Sequence, residues 1–156
     1  MMRTELQEIR YFARDIVSDY TMLKMQQHIH HKKLSVFDHS LSVAVLSVKY
    51  ANFLNKLFHI KFDKKSLIRG AMLHDYFLYD WHEPHHKFHG FTHPKIAYNN
   101  AINNFKVNKI EKDIIKKHMF PLTPFPPTKR ESIIVCIADK VCAIQEYLNK
   151  KAKYEY

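Results

Sequence analysis

Asp139 lies within Ile133-Ile134-Val135-Cys136-Ile137-Ala138-Asp139-Lys140-Val141-Cys142-Ala143-Ile144, an apolar run where an ionised carboxylate is costly unless something cationic meets it. A bound cation answers that requirement, and so does a buried ion pair or a helix cap. His39 has the same character, since it precedes Leu41, Val43, Val45 and Val48 in a segment that is apolar over most of its surface. Taken singly it reads as a core histidine, as does His118, one turn after Ile114 and Ile115. The adjacent pair His74-Asp75 is more informative. Neighbouring helical residues point about 100° apart, so the two can serve one ion jointly while the second carboxylate oxygen reaches another. Imidazole with carboxylate is the ligand mix of Zn, Mn, Fe and Ni centres, not of calcium cages or thiolate zinc sites. Cys136 and Cys142 stand six positions apart, which fits neither a CxxC site nor a disulfide framework, and they read as reduced, buried thiols. His82, His85, His86 and His89 cluster in one stretch that reads as solvated loop. There His89 or Lys87 is a candidate to meet a substrate phosphate, or one histidine to act as a general acid near neutral pH. His28, His30 and His31, ahead of Lys32-Lys33, read as a surface junction.

The elements that must carry these residues are helical, punctuated by N-cap residues and prolines. Thr4 starts an amphipathic segment with Leu6, Ile9, Ile16 and Val17 that continues past Met22 and Met25 towards His28, as a lid or brace. Ser35-Val36-Phe37-Asp38 resembles a capping box, and the apolar stretch Leu41 to Leu57 behind it is long enough for a central helix with His39 in its first turn. Asp63 caps a helix from Lys64 to about Leu78, with His74-Asp75 near its end. Tyr79 to Phe91 reads as a loop over the site, rich in aromatics and turn formers. Thr92 caps the next helix, which runs to about Phe105 with Pro94 where a missing N–H costs nothing and His93 held at the start. Asn108 caps a helix through His118, prolines 121, 124, 126 and 127 break the chain, and Thr128 caps the last helix, which holds Asp139. The fold class expected is all-α, with six or seven helices and no second domain.

At 156 residues the chain is the size of one domain. Its 46% hydrophobic and 26% charged residues exclude disorder and fibrous classes. Two glycines leave no GxxxxGK or GxGxxG phosphate cradle. The net charge of +10 favours anionic ligands. Scattered lysines read as solvated helix faces, and the run Asn149-Lys150-Lys151-Ala152-Lys153 as a fraying helix end. Nucleic acid is disfavoured as a partner, because no interleaved aromatic and basic repeat marks a strand-tracking groove. Without an apolar run near 20 residues no membrane span is expected, and a cytoplasmic location follows by default.

The order His39, His74-Asp75, His93, His118, Asp139 resembles the HD superfamily of metal-dependent phosphohydrolases over residues 39 to 139. His39, His74, Asp75 and Asp139 match its H…HD…D motif, and the resemblance implies that they bind one metal. His93 and His118 match the extra histidines of the two-metal subgroup, where the residue at Asp75 bridges the ions. Leu73-His74-Asp75, Phe91-Thr92-His93-Pro94 and Ala138-Asp139-Lys140 also look like phrases of bacterial stand-alone HD proteins. The resemblance implies a single HD-type bundle over 1–156, with residues 1–30 as brace or lid and 35–153 as metal-binding core. It further implies two divalent ions (Fe, Mn, Ni or Zn, with Mg also open). The implied activity is hydrolysis of a small phosphorylated substrate (phosphomonoester, nucleotide or phosphodiester) through a metal-bridging hydroxide, with Asp75 catalytic. Lys140, Lys95 and Arg69 are candidates for substrate charge. The alternatives are an HD-type mixed-valence di-iron oxygenase and a metal-stabilised sensor of an anionic ligand. Leu78 stands where many HD phosphohydrolases carry a lysine, so no catalytic lysine is expected there. Met119-Phe120-Pro121 after His118 departs from the HD-GYP pattern, so that branch's activity is not expected.

Overall fold

Ser35 starts the longest helix: its Oγ accepts the Asp38 amide at 3.1 Å while the Asp38 carboxylate takes the Ser35 N–H at 3.5 Å. The computed structural model describes residues 2–27, 29–31, 34–77 and 88–148, and among these the side chains at 2, 3, 29–31 and 89 lie outside the description. In chain order the elements are α1 (Met2–Phe12), α2 (Arg14–Val17), α3 (Tyr20–Lys24), a 3-10 turn (Met25–Gln27), β1 (Ile29–His31), β2 (Leu34–Ser35), α4 (Val36–Phe58), α5 (Lys64–Leu73), α6 (His89–Asn104), α7 (Lys109–Lys117) and α8 (Arg130–Tyr147). The class is all-α, with six helices of nine or more residues among the described residues. β1 and β2 form a short antiparallel ribbon pairing Ile29 with Ser35 and His31 with Leu34.

Twelve of the 23 residues of α4 are buried, on nearly all sides as far as Val48, which makes it the centre of the bundle and not a surface amphipath. It packs on α5 and α8, and α7 closes the ring by packing on α5, α6 and α8. Val43, Val45, Leu67, Ile68, Met72, Phe77, Ile115 and Val135 are fully enclosed between them. Each such side chain contributes roughly 1.5–3 kcal/mol of burial free energy. The approach of α5 to α7 depends on Gly70. A Cβ there would stand 3.0 Å from Ile114 Cβ and 3.1 Å from its Cγ2, closer than side-chain carbons pack.

Start signals place α4, α5 and α7 as expected. Asp63 accepts the Ser66 amide at 3.0 Å at the head of α5, and Asn108 with Glu111 forms a second capping box at the head of α7. Four expectations need correction. The N-terminal segment is not one helix, because Ser18 Oγ donates to the Arg14 carbonyl and Asp19 accepts the Met22 N–H, ending one helix and capping another. α5 stops at Leu73, so His74 is its C-cap and Asp75 lies in the turn beyond. α6 starts at His89 behind Phe88 in a left-handed conformation (φ 65°), and Thr92 Oγ1 donates back to the Phe88 carbonyl. Pro94 therefore sits inside the helix, where the Gly90 carbonyl loses its usual donor. Lastly, α8 is not capped by Thr128. Asp113 of α7 accepts the Thr128 and Lys129 amides at 2.9 and 3.1 Å and the Thr128 hydroxyl at 2.9 Å.

The expected loop from Tyr79 lies outside the described residues through Lys87, and its last residues open α6. His28, His82, His85 and His86 and the run 149–153 also lie outside them. No helix of the described residues is long and apolar enough to cross a membrane.

Candidate metal centre

Five elements deliver the candidate side chains. The capping box fixes where α4 begins and so turns His39 inward, fully buried. His74 and His118 use one device twice: each is the C-cap of its helix, α5 and α7, and each ring bonds through Nδ1 to the carbonyl three residues back, Ala71 at 2.7 Å and Ile115 at 2.8 Å. A carbonyl only accepts, so Nδ1 carries the proton and Nε2 presents a lone pair to the interior. Helix ends leave carbonyls without intrahelical partners, and here they orient imidazoles. His93 comes from the second turn of α6 and Asp139 from the middle of α8.

These six side chains converge. Asp139 Oδ1 lies 3.0 Å from His39 Nε2 and 3.5 Å from His74 Nε2. Asp75 Oδ2 lies 3.7 Å from His39 Nε2 and 3.5 Å from His74 Nε2. Its other oxygen faces the opposite way, 3.1 Å from His93 Nε2 and 3.3 Å from His118 Nε2. The two latter nitrogens are 2.8 Å apart. No member is more than 7% exposed.

The donor set fits divalent cations. His74 Nε2 is buried without a hydrogen bond, which is costly for a polar atom unless a cation takes its lone pair. Donors about 2.0–2.2 Å from a shared ion at tetrahedral or octahedral angles are separated by about 2.8–3.6 Å, and the separations above cluster in that range. Two overlapping groups, His39–His74–Asp139 and His74–Asp75–His118, each bring three donor atoms within 4.8 Å of one another.

Electrostatics divide the centre. Burial disfavours a charged His39, yet Asp139 on one ring nitrogen and Glu146 on the other raise it to about 10. His74 is also raised against burial by Asp75 and Asp139. Asp139 is held well below the ordinary carboxylate range, burial notwithstanding, by His39 and His74. Burial pushes His118 down to about 4, and His74 and His93 add to that against Asp75. Positive charge is thus stabilised most at the His39 end.

The chain matches the HD domain family over residues 36–144, from the first residue of α4 to the penultimate turn of α8. The protein belongs to the HD domain family. HD domains are generally metal-dependent phosphohydrolases. No curated protein and no solved structure matches the chain.

Around this HD centre the other candidates separate. Lys140 Nζ donates to the His118 carbonyl and lies 3.6 Å from Asp139 Oδ2, so it borders the site and is partly exposed. Lys95 is exposed on α6. His89 begins α6 with its side chain outside the description, and Lys87 lies outside the described residues. Arg69 is not available to substrate: it is buried, with Nε on Glu111 at 2.9 Å and Nη1 on Asp15 Oδ2 at 2.7 Å. Cys136 takes no part as a ligand, its Sγ bonding to the His118 and Phe120 carbonyls. Sequence reasoning missed Glu146. Both of its oxygens lie 3.0 Å from His39 Nδ1, and it is 2% exposed. The available signal was its position two turns after Asp139 on the same face of α8.

Proposed function

We propose that this HD domain holds two divalent ions and hydrolyses a small phosphorylated substrate, a phosphomonoester, nucleotide or phosphodiester. The observation that carries the reading is Asp75, whose two oxygens face different imidazole sets. His39, His74, Asp139 and Asp75 Oδ2 would hold one ion, and Asp75 Oδ1, His93 and His118 the other. When bound, such ions lower the pKa of water and neutralise charge developing on phosphoryl oxygens. The protein's part is preorganisation. Hydrogen bonds from Nδ1 of His74 and His118 to backbone carbonyls fix both rings before any ligand arrives, so little reordering accompanies binding. The net charge of +10 draws anionic substrates. Lys140 at the rim, with Lys95, Lys87 and His89, would supply cationic or donor contacts to the phosphate. No lysine follows the His74-Asp75 pair at Leu78, so these groups carry that duty.

In this reading residues 1–30 form a brace and 35–153 the metal-binding core of one domain. Ion pairs from Glu8 to Lys64 at 2.9 Å and from Asp15 to Arg69 support the brace.

The test is a matrix of metals and substrates: stripped protein reloaded with Mn, Fe, Ni, Co, Mg or Zn, screened for phosphate release from nucleotides, sugar phosphates and generic phosphoesters. Release with at least one pairing is expected. Ion and phosphate binding without turnover anywhere in the matrix would replace the hydrolase with a sensor of anions. The donor set, all imidazole and carboxylate, also suits a di-iron oxygenase. Oxygen consumption by the iron-loaded protein, with no phosphate released, would decide for that chemistry.

A further inference from the structure

The two ends of the centre differ in what stands behind the imidazoles. His74 and His118 lean on neutral backbone carbonyls, whereas His39 Nδ1 lies against a buried carboxylate, both oxygens of Glu146 at 3.0 Å. The Glu146 side chain is wholly enclosed, so water and salt screen its charge little. A carboxylate behind a ligating imidazole fixes the tautomer and makes the ring a stronger donor, and loss of such a partner lowers metal affinity about 10–100-fold. The His39 end also has Asp139 and one oxygen of Asp75, while the His93–His118 end has only the other Asp75 oxygen among these carboxylates. Of these three carboxylates, Glu146 and Asp139 face only the first end, and Asp75 alone faces both.

We infer that Glu146 is a positioning residue that makes the two halves of the centre unequal, so that ions fill the His39–His74–Asp139 position first and the His93–His118 position second. This rests on the two-ion reading above. Glu146 lies two residues beyond the span matched to the family, which ends at 144.

The experiment is a titration of the metal-stripped full chain with Mn2+, free ion being read from its electron paramagnetic resonance signal. The wild type should bind in two steps separated by at least about tenfold. Glu146→Gln, which keeps shape and a hydrogen-bond acceptor but removes the charge, should weaken the tighter step about 10–100-fold and leave the weaker within about threefold. Glu146→Asp, which withdraws the carboxylate by one methylene, should fall between the two. Melting of each metal-free variant, followed by circular dichroism, reports whether the fold survives. Equal steps in the wild type, an unchanged tighter step in Glu146→Gln, or equal weakening of both steps would overturn the inference while leaving the metal centre intact. A wild type that binds no Mn2+ would overturn the two-ion reading itself. If Glu146→Gln does not fold, Glu146→Asp is judged against the same outcomes, and failure of both to fold makes Glu146 structural and overturns its positioning role.

Discussion

Asp75 joins the two imidazole sets, and removing its carboxylate should separate them. Asp75→Ala is expected to lose most bound metal, measured by elemental analysis after desalting, and to lower any hydrolytic rate by at least about 100-fold. Retention of full activity would sink the mechanism. Arg69 presents the opposite case, a buried cation that serves the fold. Its replacement by Ala leaves Glu111, 1% exposed, without its guanidinium. Urea denaturation should show a loss of about 3–5 kcal/mol, while the folded fraction keeps its metal content. The residue scale also shows where sequence was informative. Asp139 and His39 stood out as polar groups in apolar context, and His74-Asp75 as an adjacent imidazole and carboxylate, but it was their order along the chain that made them a candidate set. Arg69 was misread because its partners, Asp15 and Glu111, are distant in sequence and nothing local announces them. Glu146 was harder for a different reason: its spacing of seven from Asp139 puts both on one face of a helix, but beside Gln145 and Tyr147 near a helix end it looks like ordinary solvated surface, and only the fold buries it.

Helix starts were legible where the cap is local, at α4, α5 and α7, and were misplaced at α6 and α8; the ends of α4, α6 and α7 fell where read, whereas that of α5 depends on what the chain must reach. Ser35, Asp63 and Asn108 each begin a helix as read. α5 stops early, letting His74 and Asp75 turn into the centre, and Asp113 caps α8 from another helix, which no local pattern reveals. The Gly70–Ile114 contact lies one turn before His74 on one helix and one turn before His118 on the other, so the same close approach that packs α5 on α7 brings those two rings together, 4.8 Å between centroids. Gly70→Ala should cost about 1–3 kcal/mol in urea denaturation and weaken metal binding as well. Adding Ile114→Ala should recover part of the loss, a coupling that a double-mutant cycle measures, and strict additivity would refute the contact's role. Asp113 gives the element-scale pH dependence. Burial would raise its pKa, but Lys117 and the Thr128 amide hold it below its ordinary 3.8. The native value being lower than the unfolded one, the unfolded chain binds the proton first. Stability from this cap is therefore present above about pH 4 and lost as pH falls further. The urea midpoint should drop between pH 5 and pH 3 more steeply in the wild type than in Asp113→Asn.

Over the whole molecule, class and family were the most legible features, since a six-residue ligand pattern and helical periodicity both survive without any knowledge of packing. The N-terminal segment was legible only as amphipathic sequence, because its breaks at Ser18 and Asp19 arise from competing side-chain bonds and not from its apolar pattern. His39 and Asp139 are 100 positions apart in the chain. An ion held between them ties off a loop comprising most of the protein, as a cross-link would, and for a loop of that length the chain-entropy estimate is roughly 4–5 kcal/mol. Chelation should then lower the melting temperature by about 10 °C or more, read by calorimetry with and without a strong chelator. No change in melting would show that the bundle closes without help. The expected result makes the reactive centre also the knot that fastens the two ends of the fold, so that losing the metal and loosening the protein become one event.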